Sequence, residues 1–162
     1  MSNTGITAFD STIQTTNVWL NDLTDRMGWQ DKHRAYHALR LVLHALRDRL
    51  PVDQAAALGA QLPMLVRGFY YEGWHPGGKP VKERKKEEFL AHVATAFRDD
   101  PDVNPEEVAR AVFHVIAKHV TPSEIKHVKI TLPGEIRSLW SEETHSGWFW
   151  QEAEEAWEED AG

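Results

Sequence analysis

Apolar positions along the chain recur every three or four residues, the spacing that lines one face of an α-helix. Phe9, Ile13, Leu20, Leu23 and Met27, with Thr16 as the one polar member, predict a first long helix. Gly28 interrupts it. From 31 to 50 the set Ala35, Ala38, Leu39, Val42, Leu43, Ala45, Leu46 and Leu50 predicts a second helix, antiparallel to the first. Pro51 has no amide hydrogen to donate and ends that helix. Ala55, Leu58 and Leu62 mark a short third helix, and Pro63 opens a fourth with Leu65, Val66, Phe69 and Tyr70 directed inward. This fourth helix runs out in a Gly- and Pro-rich loop at 72–80. No stretch alternates convincingly with period two, so the expectation is an all-α fold with almost no sheet.

The same order returns 70 positions later without a gap. Leu20 meets Leu90, Arg40 meets Arg110, Val42 meets Val112, His44 meets His114, Leu62-Pro63 meets Leu132-Pro133, and Arg67 meets Arg137. Apolar class is kept at Trp19 and Phe89, Met27 and Phe97, Leu46 and Ile116, Ala55 and Ile125, and Tyr70 and Trp140. The register predicts an internal repeat: two tandem pseudo-symmetric four-helix units packed as one bundle. The expected division is a duplicated domain over 1–140, with repeats at about 8–74 and 84–140, and a tail at 141–162. The second copy has clear start signals in Asn104-Pro105-Glu106-Glu107 and Thr121-Pro122-Ser123-Glu124, each with a capping side chain followed by proline. If the halves dock around a twofold axis, Arg40 with Arg110 and His44 with His114 are candidates to pair across it.

Charge separates the tail from the body. Of the 25 acidic residues eight follow Arg137, the last basic residue, which leaves 17 against 18 Lys and Arg in the body. The acidity is therefore local, and the segment is expected to function separately. There is no cysteine, hence no disulfide, thiol catalysis or thiolate ligand, which fits a cytoplasmic protein. No run approaches the roughly 18 apolar residues of a membrane span, and the first residues lack the pattern of a cleaved signal.

Candidate chemistry is sparse. His33, His37 and His44 fall on one stripe of the second helix, opposite its apolar face. His33 and His37, one turn apart, have the spacing of two ligands to a divalent metal, with a carboxylate needed from elsewhere. Arg34, Ala35 and Tyr36 lie between them, so the pair lacks the glutamate of a zinc hydrolase motif. Arg67 and Arg137, each one turn into a helix after Leu-Pro, are expected to anchor a carboxylate or a helix end.

A denser cluster begins at Tyr70, Tyr71 and Trp74 and continues through Lys79, Lys82, Arg84, Lys85 and Lys86. Aromatics beside cations suggest nucleic acid. A near-neutral body and the interrupting Glu83, Glu87 and Glu88 argue against it and favour an ordered linker or a protein contact. Trp148, Phe149, Trp150 and Trp157 give the acidic tail an apolar component, with Trp150, Ala153 and Trp157 at helical spacing. Tyr71, Trp74, Lys82, Arg84, Trp148, Trp150 and Trp157 are thus the candidate partner-binding residues. The tail is expected to dock on the basic segment or an adjacent apolar groove.

Leu62-Pro63-x-x-x-Arg67, then Phe69-Tyr70-Tyr71-Glu72-Gly73-Trp74, Pro80-Val81-Lys82-Glu83-Arg84 and Glu87-Glu88-Phe89-Leu90 resemble the bacterial family called domain of unknown function 2267, over roughly residues 8–140. The resemblance implies an all-helical bacterial protein and transfers no catalytic residue. No nucleophile, base and orienting group come together in the sequence. The reading is therefore a non-enzymatic interaction or structural module that binds a protein partner or itself, without a cofactor, a membrane or nucleic acid. The alternative is a metal-dependent or small-ligand enzyme built on His33 and His37.

Overall fold

Prolines, glycines and capping side chains set the helix boundaries in the computed structural model, which describes residues 4–140. In order these are α1 (Thr7–Met27), α2 (Lys32–Arg49), α3 (Val52–Ala60), α4 (Met64–Tyr71), α5 (Lys86–Ala94), α6 (Pro105–His119), α7 (Pro122–Thr131) and α8 (Gly134–Arg137). Short 3-10 turns extend α5 through Thr95–Phe97 and α8 through Ser138–Trp140. Among the described residues there is no strand.

Gly28 closes α1 in the left-handed conformation, at φ 70°, with its N–H donated to the Thr24 carbonyl. Asp31 accepts the His33 N–H at 2.8 Å, Asn104 the Glu106 N–H at 2.9 Å, and Thr121 Oγ1 the Glu124 N–H at 3.3 Å. These side chains take up first-turn donors that have no partner within the helix. The opposite ends are closed by arginine. Arg67 Nε donates to the Gly59 carbonyl at 3.0 Å and its Nη2 to that of Leu62 at 3.0 Å. Arg137 repeats the arrangement with the carbonyls of Lys129 at 2.7 Å and Leu132 at 2.8 Å. Each Leu-Pro-x-x-x-Arg thus folds its arginine back over the last carbonyls of the preceding helix, the helix-end alternative of the sequence reading.

The core is continuous through both halves, with α2 and α6 at its centre. α2 packs on α1, α4, α5 and α6, while α6 packs on α1, α2 and α5. Leu46 and Ile116, at matched positions, are both completely buried. The packing is reciprocal: α2 of the first half lies on α5 of the second, and α6 of the second lies on α1 of the first. At the C-terminal ends of those helices Arg49 sits over the Phe89 ring, 5.4 Å from its centroid, and His119 stacks on Trp19 with centroids 4.9 Å apart. Residues 49 and 119 match in the 70-residue register, as do 19 and 89.

Polar positions do meet between the halves. Arg40 pairs with Glu72, and Arg110 donates to the Ser138 carbonyl at 3.3 Å, each within its own half. Matched residues contact each other instead at Gln54 and Glu124, where the amide of Gln54 donates to the Glu124 carboxylate. Burial holds that carboxyl above the usual glutamate range. α3 and α7 pack on each other as α2 and α6 do, but the α2–α6 contact lies within the apolar core, and Gln54 and Glu124 meet where α3 faces α7.

Three apolar assignments also change. Phe9, Ile13 and Leu65 are exposed, while Thr16 is buried. The N-terminal turns of α1 have no helical counterpart in the second half, where the matching residues 77–85 form the linker. Their apolar face lines an open groove and does not enter the core.

Candidate functional site

The groove lies between the N-terminal half of α1 and α4, with α2 at its base. Its volume is about 790 Å³, and its walls include Phe9, Ile13, Leu20, Tyr36, Met64 and Leu65. Phe9, Ile13, Met64 and Leu65 each expose more than two-fifths of their surface, so large apolar side chains cluster here on the outside of the molecule. Thr12 Oγ1 accepts the Leu65 N–H at 2.9 Å, an amide in the first turn of α4 that has no intrahelical acceptor. That bond fixes the two walls relative to each other. Thr4 Oγ1 donates to Asp10 at 2.8 Å and sets the start of α1 at one end of the groove.

Electrostatically the groove is bland. Among the described residues Glu72 is the one charged member of its lining, and Arg40 pairs with it. The Arg40 guanidinium holds the Glu72 carboxyl below the usual range. On the floor, Thr16 Oγ1 is buried and has no hydrogen-bond partner among the described residues.

The sequence reading did not single out this groove. The signal was present in the repeat register: Phe9, Ile13, Met64 and Leu65 match Lys79, Glu83, Gly134 and Glu135. These positions are apolar in the first half and polar or glycine at the matched places in the second. In the second half the equivalent junction is a polar contact. The Lys86 N–H donates to Glu135 at 2.9 Å, and Lys86 Nζ pairs with Glu106 at 2.8 Å.

The aromatic and basic cluster divides into two parts. Tyr71 contacts the rings of Tyr70 and Trp74 at 4.9 and 5.4 Å, and both Tyr71 and Trp74 are half-buried against the core. Gly59 makes this possible, since a Cβ there would lie 2.3 Å from the Tyr71 hydroxyl. The basic segment is instead held at the end of α2. The Val81 N–H donates to the Asp48 carbonyl at 2.9 Å, and Glu83 pairs with buried Arg49 and, at 3.3 Å, with His92. Lys82 and Arg84 face solvent. The two aromatics are thus half-buried against the core and the two cations lie on the surface. The remaining candidates, Trp148, Trp150 and Trp157, lie outside the described residues, as does the acidic tail 141–162.

The histidine stripe also divides. His33 and His37 are exposed on α2, whereas His44 is half-buried and its Nε2–H donates to the Phe69 carbonyl at 2.6 Å. Burial pushes the His44 pKa down, against the opposing pull of that hydrogen bond. Among the described residues no three histidine, aspartate or glutamate side chains converge as a metal site, so a metal on His33 and His37 needs a ligand from outside them.

A histidine–carboxylate pair that the sequence did not suggest occurs at His119 and Asp22, 2.6 Å apart, with Lys118 at 3.1 Å. Burial raises the Asp22 pKa, but hydrogen bonds from His119 and Lys118 outweigh it and hold the carboxyl below its ordinary value. With His119 stacked on Trp19, the pair ties α6 to α1 and acts as a structural latch.

The family model described as "Uncharacterized conserved protein (DUF2267)" matches residues 16–139, and the chain belongs to that family. No curated protein matches the chain. Among the described residues no helix is long and apolar enough to cross a membrane.

Proposed function

From membership in this uncharacterised family, we propose that the chain is a non-enzymatic helical interaction module that arose by duplication and binds an apolar protein segment in the α1–α4 groove. The observation that carries this reading is the asymmetry at matched positions. The shared positions build a common core, while Phe9, Ile13, Met64 and Leu65 depart from their counterparts and stand exposed together. Rigid helices that hold a concave apolar surface suit recognition of a peptide or helix by its hydrophobic face. Lys82 and Arg84 offer a charged second contact, and a cysteine-free sequence suits the bacterial cytoplasm.

The test is affinity capture with the full chain and an Ile13→Glu, Leu65→Glu variant of unchanged melting temperature. A protein retained by the former and lost by the latter supports the proposal. Identical retention by both contradicts it. Metal analysis after chelation tests the rival reading: tight rebinding of zinc that depends on His33 and His37 would favour an enzyme.

A further inference from the structure

We infer that the α1–α4 groove is one side of a closed dimer, covered by the same surface of a second copy of this chain. The inference rests on the groove reading above and names the partner. The distribution of charge points there. The 18 basic and 25 acidic residues put a charge at about one position in four, yet residues 11–21 and 54–66, the two longest stretches without Asp, Glu, Lys or Arg, come together in the fold. Thr12 Oγ1 accepts the Leu65 N–H between them, and both stretches line the groove. On the other side of α1 the same stretches, with Ala8 and His119, line a second open hollow of about 550 Å³. A surface poor in charge that exposes aromatic, aliphatic and methionine side chains has the composition of an interface centre.

Two features select a second copy over a partner of other chemistry. A separate helix needs only a hollow to lie in. Here Phe9, Ile13, Met64 and Leu65, each more than two-fifths exposed, stand beside the hollows, so the surface carries ridge and socket together and can fit itself about a twofold axis. The second feature is electrostatic. The Glu72 carboxylate in the lining is already paired with Arg40, so a charge brought against this surface would be buried without a partner, at a high cost. The covering face must therefore be uncharged over a similar area, which nucleic acid and charged peptides are not and this face itself is. Association stops at two copies, because the matched positions in the second half, Lys79, Glu83, Gly134 and Glu135, are charged or glycine and do not repeat the apolar surface.

Light scattering of the purified full chain reads the oligomer with no other protein present. At about 100 µM the expected mass is that of two chains. Ile13→Glu and Leu65→Glu each put a charge into the shared face and should raise the dissociation constant at least roughly tenfold, with circular dichroism verifying that each variant keeps its helices. Ile130→Glu, at an exposed position on α7, should leave the dimer unchanged. To locate the contact, a chain with benzoylphenylalanine at Ile13 is mixed with an isotopically heavy chain, left to exchange and irradiated. The adducts should join a light peptide to a heavy one from residues 4–20 or 54–72.

A mass of one chain, or of more than two, overturns the inference. So does a dimer that both glutamate variants leave equally strong. Adducts to heavy peptides outside those two segments, or adducts with no heavy member, overturn it as well. The groove reading is scored separately: a monomer that still retains another protein through Ile13 and Leu65 refutes the dimer and keeps the groove. A dimer that survives both glutamates, with capture also unaltered, refutes both.

Discussion

Regions that match in the 70-residue register differ at four positions, two of them on helices in both halves and two, Phe9 and Ile13, on a helix only in the first. Where the first has Phe9, Ile13, Met64 and Leu65, the second has Lys79, Glu83, Gly134 and Glu135. In the first half these residues line a groove open to solvent; in the second, Glu135 accepts the Lys86 N–H and the junction is polar. Positions that keep their character, such as Leu46 and Ile116 or Arg67 and Arg137, are occupied with core packing and helix ends. Where the two halves match, the shared residues serve packing and helix ends, and the unshared ones mark where the halves differ.

The largest expected effect tests the shared part. Leu46→Ala and Ile116→Ala should each destabilise by about 2 to 5 kcal/mol in denaturant melts, because both side chains are fully buried. Near-equal costs support one core common to both halves, and a cost well under 1 kcal/mol for either breaks the equivalence.

The next pair sharpens the reciprocal contact. Arg49→Ala removes a buried guanidinium's bonds to Glu83 and to the Ala45 carbonyl together with its packing over Phe89, and should cost about 1 to 3 kcal/mol. His119→Ala removes the stack on Trp19 and the bond to Asp22 from a side chain that is itself one-fifth exposed, where Arg49 is almost wholly buried, and should cost less than Arg49→Ala. A reversed order would show that position 119, not 49, carries the contact between the halves. Gly59→Ala should cost about 1 to 3 kcal/mol by pushing Tyr71 off α3, a constraint without parallel at the matched Lys129.

A smaller effect comes from pH. Burial lowers the His44 pKa below its unfolded value, so between those two values the unfolded chain binds the extra proton. The neutral ring's contribution is present above about pH 6.5 and is lost as pH falls through that window. Stability followed over this range should decline in the native chain and decline less in His44→Gln. Asp22 has a depressed carboxyl, and its contribution holds above about pH 4 and is lost only below that. The smallest effect is expected in the groove, where Ile13→Ser and Leu65→Ser should change stability by no more than about 0.5 kcal/mol, since both residues are already exposed.

Much of the fold was legible because helix periodicity, Pro51, Gly28 and the Asn104 and Thr121 caps act over a few residues, and the structure honours each of them. What could not be read was which faces meet. Periodicity places Phe9 and Leu20 on one stripe of α1, but the end of the neighbouring packing decides that Leu20 is buried and Phe9 is not. The link between Gln54 and Glu124 depends on α3 facing α7, a tertiary fact with no local signature. His119 and Asp22 lie 97 residues apart, and nothing in their local spacing announces the pair. The aromatic loop drew attention by composition, yet Tyr71 and Trp74 pack inward, while the exposed aromatics and aliphatics of the groove are spread over two helices.

The claim that the unshared residues form a contact surface is tested most directly by a photo-activated benzoylphenylalanine placed at Leu65 in the full chain inside cells, with Ile130 as the matched control. Irradiation should give a defined adduct at position 65, mapped by mass spectrometry to segment 141–162 or to another polypeptide, and none at 130. No adduct at position 65, or the same products from both positions, would contradict the account.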